Sequence, residues 1–272
     1  MNDRCINHEP CTVHGKVVCT LFVLVFLAGC QKSIKQEEKS LAIDPVAERV
    51  VVPPVFASAA IAKAGGLEAW GRVREIQLDC IVTFYDKDAG YYLTEQKYEI
   101  FPWSNSIVIT GNESNAPYSW QLSEGQFDVL KGSKQIEGFK NQIGSGYFAE
   151  AILNIITAPA RFLDKSVEYS RKTDAVNIHG RWCYPITRTL KTGKQLFSSN
   201  FVYYQNRDNS LIDTMLLTCK NNDVFLVCGY GYNQIQDGDV SIPDRIEIYS
   251  SNKEGISQRQ LFRIDVSAAS EK

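Results

Sequence analysis

Apolar and polar residues alternate along most of this chain, and the departures from alternation mark its organisation. The first departure is the run 17–29, VVCTLFVLVFLAG, uncharged and almost wholly apolar. Residues 31–54 are polar and close on Pro53-Pro54, a composition that predicts a flexible tether. Phe56, Ala60, Ala64 and Leu67 then fall at helical spacing with Gly65-Gly66 as a break, predicting a helix to about Ala64 and a helical turn around Trp70. From Ile76 the period changes to two. Ile76, Leu78, Cys80, Val82 and Phe84 alternate with Glu75, Gln77, Asp79 and Thr83, the pattern of a half-buried strand. Asp86–Gly90 predicts the turn into a second strand that carries Tyr92, Tyr98 and Ile100 to Pro102. Shorter strands are expected near 106–111, 117–122, 126–131 and 135–139, each bounded by Gly, Asn or Ser.

The second departure is 145–156. Phe148, Ala151, Ile152, Ile155 and Ile156 recur at helical spacing, predicting a helix capped by Ser145 and stopped before Pro159. Strands are expected again at 166–170, 174–179, 181–190, 196–206, 210–219, 223–235, 244–250 and 259–267, with Asn221-Asn222-Asp223 as a hairpin turn. About a dozen strands and two or three helices, with no linker between them, predict one mainly β domain over 55–272.

The N-terminal run is too short for a comfortable membrane span, which needs roughly 20 apolar residues. Arg4 and Lys16 precede it and small residues end it, the order of a secretory signal. Its last residues, Leu27-Ala28-Gly29-Cys30, resemble the lipobox of bacterial lipoproteins. That resemblance implies cleavage after Gly29 and lipid on Cys30: diacylglycerol on the sulfur and an acyl chain, such as palmitate, on the new amino group. Several acyl chains anchor stably where one does not. Residues 1–29 are then signal peptide, and 30–54 are lipidated cysteine and tether. Gln31 follows Cys30, where an aspartate would favour retention in the inner membrane. The expected address is the cell envelope, at the outer membrane facing the periplasm.

Composition narrows the function classes. The formal net charge is −2 and no basic run appears, so nucleic-acid binding has no electrostatic footprint. Cys5, His8, Cys11 and His14 have a metal-like spacing, but they lack the longer gap between ligand pairs and lie in the expected signal peptide; no metal is expected. Beyond Cys30 the only histidine is His179, at a turn beside Gly180. There is no G-x-S-x-G elbow, no H-E-x-x-H and no P-loop. Asp213 and Glu247 read as surface carboxylates of strands. No catalytic residue and no cofactor are expected, and the chain is read as not an enzyme. Cys80, Cys183, Cys219 and Cys228 remain. With a two-residue loop Cys219 would face Val224, which puts a Cys219–Cys228 bridge out of register. A Cys80–Cys183 disulfide and four buried free thiols both stay open.

Four stretches carry a further resemblance. They are Ala64-Gly65-Gly66-Leu67-Glu68-Ala69-Trp70, Ser119-Trp120-Gln121-Leu122-Ser123-Glu124-Gly125-Gln126-Phe127, the segment from Tyr203 to Ile212, and Gly238-Asp239-Val240-Ser241-Ile242-Pro243-Asp244-Arg245-Ile246-Glu247-Ile248-Tyr249. Their order resembles the lipoprotein-carrier (LolA/LolB-like) fold and its envelope relatives, over most of 55–268. The resemblance implies an incomplete antiparallel β-barrel, a half-barrel, with helices across its opening and an apolar cavity for acyl chains. Candidate ligand contacts are then Leu78, Val82 and Phe84 on the first strand, and Phe148, Ile152 and Ile155 on the helix, which could move to admit a chain. The reading that follows is a membrane-anchored, monomeric binder of a lipid or acyl chain. The alternative is a structural or sensory envelope lipoprotein that acts through protein contacts. Fold alone does not choose between them.

Overall fold

The structure, a computed structural model, describes residues 53–88, 90–113, 116–134, 143–190, 197–198, 200–236 and 238–272. Two short helices open it: α1 (Val55–Lys63) and α2 (Leu67–Arg72). Five strands follow: β1 (Ile76–Tyr85), β2 (Tyr91–Phe101), β3 (Ser106–Glu113), β4 (Ala116–Ser123) and β5 (Gln126–Lys131). Helices α3 (Ser145–Ile156) and α4 (Ala158–Arg161) come next. The rest is strand: β6 (Val167–Arg171), β7 (Val176–Ile178), β8 (Arg181–Leu190), β9 (Asn200–Asn206), β10 (Ile212–Thr218), β11 (Val224–Gln234), β12 (Ser241–Ser251) and β13 (Ser257–Glu271).

All 13 strands join one sheet, in the order β5-β4-β3-β2-β1-β13-β12-β11-β10-β9-β8-β6, with β7 also on β8. Every pairing between these strands is antiparallel, from Ile76↔Ile100 at one seam to Val82↔Ile264 where the first strand meets the last. The sheet is open, with β5 at one edge and β6 at the other. It is therefore two meanders, β1–β5 and β8–β13, joined through β1 and β13. Helix α3 touches β3 and β4 of one wing and β10, β11 and β12 of the other. The sheet thus curves around α3, which occupies the inner face.

Alternation builds this core as the sequence implies. The inward residues of β1 are buried, and Ile81 between them is exposed. The main apolar cluster includes β1, β3, α3 and the inner residues of β9–β13. A smaller cluster on the outer face groups Ile178, Cys183, Tyr204, Leu216, Leu226 and Cys228. Cys80 belongs to the inner cluster and Cys183 to the outer one, so the sheet itself separates them. All four cysteines described are free and buried. Burial pushes the Cys183 and Cys228 thiols up to about 12, which makes them inert small apolar residues.

Helix α3 stops at Ile156, before Pro159 as its pattern predicts. Pro159 falls in the first turn of the separate helix α4, where a missing N–H costs nothing. Two local expectations are corrected. Ser145 is the first helical residue and not the cap: its hydroxyl donates to the Lys134 carbonyl at 2.6 Å, and Gly144 holds the cap position without a side-chain bond. The β10–β11 loop is longer than two residues. Asn222 N–H bonds the Cys219 carbonyl at 3.0 Å, Asn222 takes φ 69°, and Thr218 faces Val224 instead of Cys219. The expected strand at 135–139 lies outside the described residues.

Candidate functional site

The six candidate ligand contacts come together. Leu78, Val82, Phe84, Phe148, Ile152 and Ile155 are each between 0 and 2% exposed and belong to one cluster. Phe262 of β13 links strand to helix, with its ring centroid 5.3 Å from Phe84 and 5.2 Å from Phe148. The inner face is packed at these positions. Of the 12 residues of α3, 11 are buried, so strands enclose the helix on nearly every side.

The helix is not apolar all round, and the apolar count misses this. Glu150, Asn154, Thr157 and Arg161 follow one another at spacings of four, three and four, a polar stripe along α3 and α4. All four are buried. That spacing was the signal available in the sequence. Asn154 Nδ2 donates to the Glu150 carbonyl at 2.8 Å, and Thr157 Oγ1 donates to the Leu153 carbonyl at 2.6 Å. Arg161 Nε donates to Thr157 Oγ1 at 3.1 Å. The Ser198 amide donates to Glu150 Oε2 at 2.8 Å, and the Tyr203 hydroxyl to Asn154 Oδ1 at 3.2 Å.

Beneath the stripe lie β6, β8 and β9. Arg188 of β8 pairs in register with Tyr169 of β6, and its guanidinium carbon lies 3.2 Å from the Phe201 ring centroid. Tyr169 donates its hydroxyl to the Arg161 carbonyl at 3.0 Å. A cavity of about 10 Å³, room for one water, is lined by Arg188, Glu150, Asn154 and Leu153, together with Asn105, Leu122 and Gly125 of the opposite wing. Three guanidinium nitrogens here, Arg161 Nη2 and Arg188 Nε and Nη2, are buried without a hydrogen-bond partner. Burial raises the Glu150 carboxyl above the usual carboxylate range, against the pull of Ser198 and Arg188. Burial also makes the charge of both arginines less favourable, against the pull of Tyr203 and Tyr169. The Tyr203 hydroxyl is pushed up to about 12 by its burial.

Other residues singled out from the sequence sit elsewhere. His179 is exposed at the β7–β8 turn with φ 50°, its Nδ1 3.0 Å from Ser257 Oγ. Asp213 is not a surface carboxylate. It is 4% exposed, and its Oδ2 lies 3.2 Å from Arg181 Nη1 because both border the outer-face cluster. An open groove of about 560 Å³ near the end of β13 is lined by Arg72, Gln234, Ile235, Gly238, Asp239 and Glu271, a polar set unsuited to an acyl chain. Among the described residues no group of three or more His, Cys, Asp or Glu is placed to hold a metal. Nor is any described helix long and apolar enough to cross a membrane. Leu27, Ala28, Gly29 and Cys30, and the Cys5–His14 cluster, lie outside the described residues.

No family model matches the sequence, and no curated protein matches it. Solved structures do. One is a LolA superfamily protein from Nitrosomonas europaea, 13% identical, with a TM-score of 0.51 over 82% of this chain and 94% of that one. Another is a DUF1329 family protein from Desulfovibrio piger, 14% identical, with a TM-score of 0.46 over 84% of this chain and 94% of that one. At such identity the likeness is one of fold, and with the open antiparallel sheet curved around α3 it shows that this chain has a LolA-like fold.

Proposed function

We propose that this protein is an envelope lipoprotein, anchored through lipid on Cys30, that binds a lipid or acyl chain between α3 and the inner face of its sheet. The supporting observation is the enclosure of α3. An open sheet curves around a 12-residue helix with 11 residues buried, and all six candidate contacts belong to the apolar cluster that contains it. If α3 lifts, the face it leaves is largely apolar, the lining a hydrophobic ligand needs, with Arg188 and Tyr203 at one end. The anchor rests on the Leu27–Cys30 motif, and the outer-membrane address on Gln31.

The alternative, an envelope protein acting only through protein contacts, is favoured by one observation: the interior is packed at the six candidate positions. Native mass spectrometry of the full chain purified from membranes separates the two. Co-purified lipid is expected. A chain that carries none, and takes up no fluorescent lipid probe, leaves the protein-contact reading. Labelled fatty acid should enter the wild type and be absent from Cys30→Ala. Label retained in that variant would overturn the anchor.

A further inference from the structure

The ligand's charge can be read from the polar stripe. Nearly every buried donor in a folded protein finds an acceptor, so each exception asks for a reason. Here three exceptions sit on two arginines beside the polar stripe of α3 and α4. Arg161 is 4% exposed, and its one side-chain bond given to a described residue is to Thr157 Oγ1. Arg188 has its guanidinium carbon over the Phe201 ring, 3.2 Å from the centroid, and its Nε and Nη2 edge is unused. A guanidinium edge with free Nε and Nη2 is the fork that grips a carboxylate or phosphate through two parallel bonds.

The local acids do not fill that fork. Glu150 is the nearest carboxylate on α3, yet its Oε2 is taken by the Ser198 amide, and it forms no ion pair with Arg188 among the described residues. Asp164 lies close enough to Arg161 to favour its charge, but its Oδ1 accepts from both the amide and the hydroxyl of Ser166, at 2.9 and 2.6 Å. The other ionisable neighbours, Tyr169 and Tyr203, are kept neutral by burial. Two fixed cations therefore face the helix–sheet interface with unused donors, and among the described residues no carboxylate is hydrogen-bonded to those donors.

We propose that Arg161 and Arg188 form the head-group site of an anionic amphiphile, a long-chain carboxylate or phosphate monoester, whose chain lies between α3 and the strands. This rests on the acyl-binding reading above and specifies it. The head group would bond the idle edge of Arg188 and Arg161 Nη2 near the small cavity beside Asn154. The chain would run from there along Leu153 and Ile152 toward Phe148 and Phe84.

The test is native mass spectrometry of the full chain in non-ionic detergent. It is incubated separately with a long-chain fatty acid, the fatty alcohol of equal length, and inorganic phosphate. The acid should bind roughly tenfold or more tightly than the alcohol, the scale of a charge-assisted bidentate contact. That preference should collapse in Arg188→Gln and in Arg161→Gln, with alcohol binding retained and thermal unfolding checked for each variant. Equal binding of acid and alcohol by the wild type would overturn the head-group site and leave the acyl-binding reading standing. Binding of neither would overturn that reading first. Phosphate binding as tightly as the fatty acid would mean an anion site without a chain, and would overturn the amphiphile.

Discussion

At the scale of single residues, burial decides which side chains matter, and burial is only half visible in a sequence. The alternation that predicts β1 places Leu78, Val82 and Phe84 correctly on its inner face. The same reasoning leaves Asp213 at the surface, because nothing local shows that Arg181, 32 positions away, will cover it. Glu150 is the same kind of case. It lies in an apolar helix, where a single charge reads as an interruption, yet the strands close over it. Its carboxyl is raised mainly by desolvation, and that has a consequence for stability. In the window just above the usual carboxylate range, the folded chain still holds the Glu150 proton while the unfolded chain has released it. Stability therefore falls as pH rises through that window, and below it the penalty is absent. Each tenfold difference in proton affinity contributes about 1.4 kcal/mol. Glu150→Gln keeps an acceptor for the Ser198 amide and removes the titration. Thermal unfolding at a series of pH values from about 4 to 7 should show a flatter profile in the variant. Profiles of equal slope would mean that the carboxyl is not desolvated as the structure has it.

At the scale of elements, most of the fold is legible. Period-two runs give the strands, with ends displaced by a few residues. β13 reaches Glu271, beyond the expected 267, because its last residues keep pairing with β1 through Gln77↔Ser270 and Ile76↔Glu271. Pairing partners so far apart in the chain leave no local trace. The helix at Ser145–Ile156 is found by its period, and what it packs against is not. Its enclosure by both wings comes from sheet curvature, which no window of residues encodes. That enclosure makes α3 the element to perturb. Ile152 is fully buried, so Ile152→Asp sets an unpaired carboxylate into the inner cluster. In a permanently packed core this costs several kcal/mol and unfolds the domain. If α3 is the movable cover proposed here, the sheet should persist by circular dichroism while uptake of a fluorescent lipid probe is lost. Cooperative loss of the whole sheet in this variant would show α3 to be fixed core, and the movable cover would be abandoned.

At the scale of the whole molecule, the proposed anchor and tether should be separable from the fold. Residues 31–40, in the proposed tether, are mostly polar and charged, and the segment ends on Val50-Val51-Val52-Pro53-Pro54, whereas α1 is built into the core. Ala57, Ala60 and Ile61 are buried, and Phe56 meets Phe162 of the α4 region edge-on at 6.1 Å. Gln205 Nε2 donates to the Phe56 carbonyl at 2.8 Å, which ties the helix to β9. At its other end the Ala64 carbonyl accepts from Trp70 Nε1 at 2.8 Å and from the Ser241 amide at 3.0 Å. We propose that the domain begins just before Val55, at the Pro53-Pro54 break; the contacts of α1 support that start. Two truncations test it against urea. A chain starting at Pro53 should unfold within about 1 kcal/mol of the full chain and sediment as a soluble monomer, if the residues before it are the tether proposed. A chain starting at Leu67 loses the apolar burial of Ile61, worth about 1.5–3 kcal/mol by itself, and leaves Gln205, Trp70 and Ser241 donors without their acceptors. Its loss should reach on the order of 4 kcal/mol. If both chains unfold at the same urea concentration, α1 is an appendage and the domain begins later than proposed. If the longer chain is itself unstable, residues of the tether belong to the fold.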